Sequence, residues 1–118
     1  MTADTFKELQ EKVAEFVSDR DWEKFHNPKN LAMSIAIESA EILELFQWKT
    51  TTESINDLSN DLSLKQELSY ELADVMIYCL SLSYRTNINL KKAILEKLEI
   101  NKKRFPEKEV YGILPPEK

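Results

Sequence analysis

Apolar residues recur along this chain at steps of three and four, the spacing of one helix face, and nowhere do they alternate strictly as a half-buried strand requires. Four segments carry the pattern, and the fold they predict is all-α. The first helix is expected from about Thr5 to Asp19, where Phe6, Leu9, Val13 and Phe16 share a face. "SDRDWEKFHNPKN" interrupts it, and Pro28 suits the first turn of a second helix running to about Trp48. "KTTTESINDLSND" is polar and reads as a loop with at most a short helical turn. A third helix follows from roughly Leu64 to Tyr84. "RTNIN" ends it, and Asn87 or Asn89 can cap a fourth helix from about Leu90 to Arg104. The segment from Phe105 to Lys118, with three prolines and no periodicity, reads as an extended tail on a single domain spanning 1–118.

The pattern is broken in one informative way. On the second helix Leu31, Ile35, Glu38, Ile42 and Leu45 share a stripe, with Glu41 on its edge. On the third, Leu64, Leu68, Glu71, Val75 and Leu82 form a similar stripe, joined by Asp74 and Tyr78. Residues three apart are neighbours on a helix, so Glu38-x-x-Glu41 and Glu71-x-x-Asp74 each present two carboxylates to one point. Four ionised carboxylates facing a core repel one another and lose hydration, at a cost of several kcal/mol per ion unless something compensates. A hard divalent cation compensates most directly: Mg²⁺ takes oxygen ligands, keeps some waters and recruits substrate phosphates. Two other arrangements remain open: Lys or Arg from another helix or subunit pairs with the acids, or the stripes are rotated and the acids face water.

Composition narrows the chemistry further. Cys79 and His26 are each the only residue of their type, which excludes an intramolecular disulfide, a Cys/His zinc site and a Glu-x-x-His di-iron bundle within one chain. Carboxylates are left as the abundant metal ligands. Gly112 is the single glycine, so a Gly-rich phosphate loop is excluded. The net charge of −5 offers no general attraction to nucleic acid, and no apolar run approaches the roughly 20 residues of a membrane span. The N-terminus has neither an export nor a transit pattern, and a cytoplasmic location is the expectation.

Phosphate and base contacts have candidates too. Lys97, Asn101 and Arg104 continue the stripe begun by Leu90 and Ile94 and place three donors on one face of the fourth helix. A basic helix C-terminus favourable to its own dipole explains the same residues. Trp22, Phe25, His26 and Trp48 lie at helix ends, where large rings can stack on a planar ligand, and Tyr78 lies one turn beyond Asp74.

"RDWEKFHNPKNL", "ESAEILELFQWK", "ELADVMIYCLSL" and "NKKRFP" together resemble the MazG-like all-α nucleoside triphosphate pyrophosphohydrolases, most closely their dCTP pyrophosphatase branch, over nearly the whole chain. The resemblance implies a four-helix bundle assembled as a homodimer or homotetramer. It implies that Glu38, Glu41, Glu71 and Asp74 bind Mg²⁺, with Mn²⁺ as a substitute, and carry catalysis. Lys97, Asn101 and Arg104 would contact phosphates, and Trp22, His26, Trp48 and Tyr78 would shape the nucleoside pocket, in part across subunits. The expected reaction is hydrolysis of a nucleoside triphosphate, dCTP or a modified dCTP, to the monophosphate and pyrophosphate, serving nucleotide-pool housecleaning. Val13 stands where some relatives carry a nucleoside-pocket histidine, which bears on base selectivity and not on hydrolysis. Two other classes compete: a non-catalytic helical module whose acids pair across a subunit interface, and a metal hydrolase of a nucleoside diphosphate, alarmone or cofactor.

Overall fold

The computed structural model describes residues 4–114, and every regular element among them is helical. Each long helix begins where a short polar side chain can satisfy the free N–H groups of a first turn. In α1 (Thr5–Asp19), Asp4 Oδ1 accepts from the N–H groups of Phe6 and Lys7. In α2 (Pro28–Phe46), Asn27 accepts from Asn30 N–H and Pro28 fills the first turn. α4 (Leu62–Arg85) is capped by Asp61 and α5 (Leu90–Arg104) by Asn89, the second of the two asparagines expected for that role. Asn87 instead takes a left-handed conformation, φ 57°, in the turn between them.

Two expectations need correction. "KTTTESINDLSND" is not a loop: α3 spans Thr51–Asn60. Its start is a reciprocal capping box in which Thr50 accepts from Glu53 N–H and Glu53 accepts from Thr50 N–H. The helix carries few apolar residues, so the periodicity that marks the other helices is nearly silent here. The tail is also not wholly extended, because Glu107–Val110 forms a one-turn helix, α6. Residues 115–118, the end of that expected tail, lie outside the described residues.

α4 is the axis of the packed body. α2 lies along it most extensively, then α1, then α3, whereas α5 makes no more than marginal contact with any other helix. The expected four-helix bundle is therefore a cluster of α1 to α4 from which α5 projects. Val17, Leu31 and Leu80 are the buried apolar residues among those described, and Leu31 is the most fully enclosed.

Candidate metal centre

The packing of α2 on α4 brings the two acid pairs together. Glu38, Glu71 and Asp74 each offer a carboxylate oxygen within 4.8 Å of the others. Glu41 completes the group, with its carboxyl against both Glu38 and Glu71. All four are half-buried. The electrostatic consequence is direct. Glu71 is pushed up to about 7, first by its contact with the Glu41 carboxyl, then by burial and by the charges of Glu41, Glu38 and Asp74. Glu38 is also raised, first by burial, then by Glu41 and the charge of Asp74, with the Glu71 carboxyl working in the opposite direction.

Among the described residues no basic side chain pairs with these acids. The ion pairs among the described residues join Lys24 to Asp21, Lys49 to Asp57, Lys92 to Glu96 and Lys102 to Glu99, and none touches the four acids. Oε2 of Glu38 and Oε2 of Glu71 are both shielded from solvent without a hydrogen-bond partner. Buried carboxylate oxygens left unpaired are costly. The donor set, all hard oxygen, fits a hard divalent cation.

The remaining candidates divide by place. Asp74, Tyr78, Ser81 and Arg85 follow one another at steps of four, three and four along α4 and so share one face over about 16 Å of helix. Tyr78 is half-buried beside the acids. His26 joins the same face from the α1–α2 connection, its Nδ1 lying 3.0 Å from Ser81 Oγ. Burial and then the Arg85 guanidinium hold the imidazole below its usual value, so it is neutral at pH 7. Trp22 sits on the same connection with its ring edge-on to Phe16, centroids 5.9 Å apart. Trp48 follows the end of α2 and is 88% exposed. Within one chain the structure does not gather it with the acids or with the α4 face.

Nor does it gather the phosphate candidates. Lys97, Asn101 and Arg104 ride on the projecting α5, with the Arg104 guanidinium 5.1 Å from the centre of the Phe105 ring. Sequence reading passed over Ser81 and Arg85. Arg85 Nε is shielded from solvent and has no acceptor, close enough to His26 to depress its basicity. Its signal was present: continuing the Asp74 and Tyr78 stripe by two further steps reaches Ser81 and Arg85.

Fold and site together define an all-α protein with a carboxylate-lined centre between two helices. The model of the MazG-like family matches residues 33–113, and the chain belongs to that family. It is 39% identical over 102 residues to dCTP pyrophosphatase 1 of Homo sapiens and 37% identical to that of Mus musculus, matches that cover 86% of this chain and 59% of each relative. The chain thus spans about three fifths of the length of the curated relatives it matches. A crystal structure of a pyrophosphatase from Archaeoglobus fulgidus superposes with a TM-score of 0.81 at 40% identity, over 90% of this chain and 96% of that one. Among the described residues no helix is long and apolar enough to cross a membrane.

Proposed function

We propose that this chain is a divalent-metal-dependent nucleoside triphosphate pyrophosphohydrolase, acting on dCTP or a modified dCTP to release the monophosphate and pyrophosphate. The observation that carries the reading is the cluster of Glu38, Glu41, Glu71 and Asp74, with buried unpaired oxygens and no cationic partner among the described residues. These four residues would hold Mg²⁺, or Mn²⁺ in its place. When bound, the metal neutralises phosphate charge and makes a water acidic enough to serve as nucleophile near neutral pH. The chain supplies the rest. A carboxylate of the cluster, Glu38 or Glu41, takes the proton of the attacking water. Tyr78 and His26 lie along the face of α4 that leads away from the acids and would hold the nucleoside, with Trp22 on the adjoining turn; Trp48 would join the pocket only from another subunit.

The phosphate contacts require a second copy of the chain. Lys97, Asn101 and Arg104 on the projecting α5 would hold the outer phosphates in a partner's site and stabilise the departing pyrophosphate. Three observations support a homodimer or a dimer of dimers. The chain exposes 9611 Å², where a compact monomer of this mass exposes about 6600 Å². Its radius of gyration is 17.5 Å against about 13.5 Å for a compact domain of this length. Ile94, Leu95, Leu98 and Ile100 lie exposed on α5. An excess of roughly 3000 Å² is on the scale that obligate interfaces bury.

The test is product analysis with canonical and 5-modified nucleoside triphosphates, in Mg²⁺ and in EDTA, for the wild type and a Glu41→Gln/Asp74→Asn variant. The expected result is monophosphate plus pyrophosphate, formed only with metal and lost in the variant. Absence of turnover with every triphosphate would overturn the reading and leave the acids to be explained by subunit pairing. Orthophosphate as product would move the chain to another class of phosphohydrolase.

A further inference from the structure

Ser81 and Ser83, each 4% exposed, are the buried polar residues among those described, and both are on α4. Each hydroxyl reaches a distant part of the chain. Ser83 Oγ accepts from Gln10 Nε2 of α1 at 2.6 Å, and Ser81 Oγ meets His26 Nδ1 at 3.0 Å, joining residues 73 and 55 positions apart. A helical serine commonly returns its proton to a carbonyl on the preceding turn, and Ser83 does so to Leu80. Among the described residues Ser81 has no such carbonyl partner. With Ser81 Oγ as the donor, His26 Nδ1 would accept and the ring proton would lie on Nε2, on the far side of the ring.

That ring is tied to a turn. His26 N–H bonds to Glu23 O, Phe25 N–H to Trp22 O, and Trp22 N–H to Val17 O, at 3.0, 2.9 and 3.0 Å. The backbone from Trp22 to His26 thus forms one hydrogen-bonded unit, largely exposed, and the His26 imidazole is its polar link to α4. Asn30 Nδ2 donates to Phe25 O and joins the unit to α2, so a displaced ring would release the α4 side only.

We propose that Ser81 is a positioning residue of the nucleoside end of the site: by donating to His26 Nδ1 it fixes the imidazole as the Nε2–H tautomer and holds the turn carrying Trp22 against α4. The proposal rests on the nucleotide reading above for its effect on turnover, and on the Ser81–His26 geometry alone for its effect on the ring. His26 acts here as a neutral donor, consistent with its burial and then with the nearby Arg85 guanidinium, both of which lower its basicity. Ser83 supplies an internal control, being equally buried on the same helix and bonded to α1 instead of the turn.

The experiment uses the tag-free 118-residue chain, in which His26 is the only histidine, so its imidazole nitrogens are unambiguous in ¹⁵N-detected NMR. Wild type should show a single Nε2–H tautomer at neutral pH. Ser81→Ala should show mixed tautomers and a KM for the preferred triphosphate raised about five- to tenfold, as loss of one hydrogen bond implies, with kcat within about twofold. Ser81→Thr, which keeps the hydroxyl, should restore both readouts, and Ser83→Ala should leave tautomer and KM at wild-type values while lowering Tm. If Ser81→Ala does not fold, Ser81→Cys, with its weak S–H donor, is measured in its place with the same expectation. An Nδ1–H tautomer in the wild type, an unchanged KM without the Ser81 hydroxyl, or an equal KM rise in Ser83→Ala would each overturn the proposal. A wild type that hydrolyses no triphosphate would instead remove the nucleotide reading, and the tautomer measurement would still decide whether Ser81 sets the ring.

Discussion

Removing and restoring the metal should change stability in a way that a structural acid cluster could not imitate. The perturbation is Mg²⁺ titration of EDTA-stripped protein at fixed protein concentration, at pH 5 and pH 8. A ligand at a hundred times its Kd stabilises the folded state by about 2.7 kcal/mol. For 118 residues the unfolding entropy is roughly 0.25 kcal/mol/K, so the expected rise in Tm at pH 8 is about 10 °C. The pH dependence follows from the direction of the carboxyl shifts. Glu71 is held near 7 in the folded chain against 4.5 for an ordinary glutamate, and Glu38 is also raised. The folded state therefore binds their protons more tightly than the unfolded state does. That contribution is complete below about 4.5 and is lost as the pH climbs through 7. The metal-free protein should lose stability over this interval, and Mg²⁺, which competes with the same protons, should restore it only on the alkaline side. Differential scanning fluorimetry would show a negligible Mg²⁺ shift at pH 5 and the full shift at pH 8. In Glu71→Gln the metal-free Tm should fall less between pH 5 and 8, and the Mg²⁺ shift should shrink. Equal Mg²⁺ shifts at both pH values, or a full shift in Glu71→Gln, would refute the assignment of these acids as ligands.

Other consequences are as specific. Mixing Arg104→Ala and Glu71→Gln subunits, each inactive alone, should restore about a quarter of wild-type pyrophosphate release, because half of the random dimers are mixed and each has one intact site; no recovery after subunit exchange would place α5 in its own chain's site. Leu98→Asp, on the exposed side of α5, should lower the particle mass in size-exclusion chromatography with light scattering, while far-ultraviolet circular dichroism retains the helices. Leu31→Ala, at the most enclosed core position, should cost about 2–5 kcal/mol in chemical denaturation. Thr50→Ala removes one half of the α3 capping box and should cost about 1 kcal/mol, with hydrogen exchange accelerated at the start of α3.

Periodicity alone located α1 to its observed ends and α5 likewise, and it put α2 and α4 within about two residues of theirs. Those helices are long, and each carries an apolar stripe that repeats often enough to be counted, whether or not its own chain buries it. The acids at Glu38, Glu41, Glu71 and Asp74 were legible for the same reason, since charge inside such a stripe contradicts its surroundings. α3 was missed because its evidence is local: a Thr50–Glu53 box and the Asp61 cap, with little apolar face to support them. What no helix wheel could supply was the pairing of helices. Only packing placed Glu38 of α2 beside Glu71 and Asp74 of α4, carried His26 to Ser81, and left Lys97, Asn101 and Arg104 on a helix that makes no more than marginal contact with the others. A sequence records which face of each helix is apolar, because that depends on neighbours three and four positions away. Which faces then meet depends on contacts between residues tens of positions apart, and those become definite only when the chain is folded.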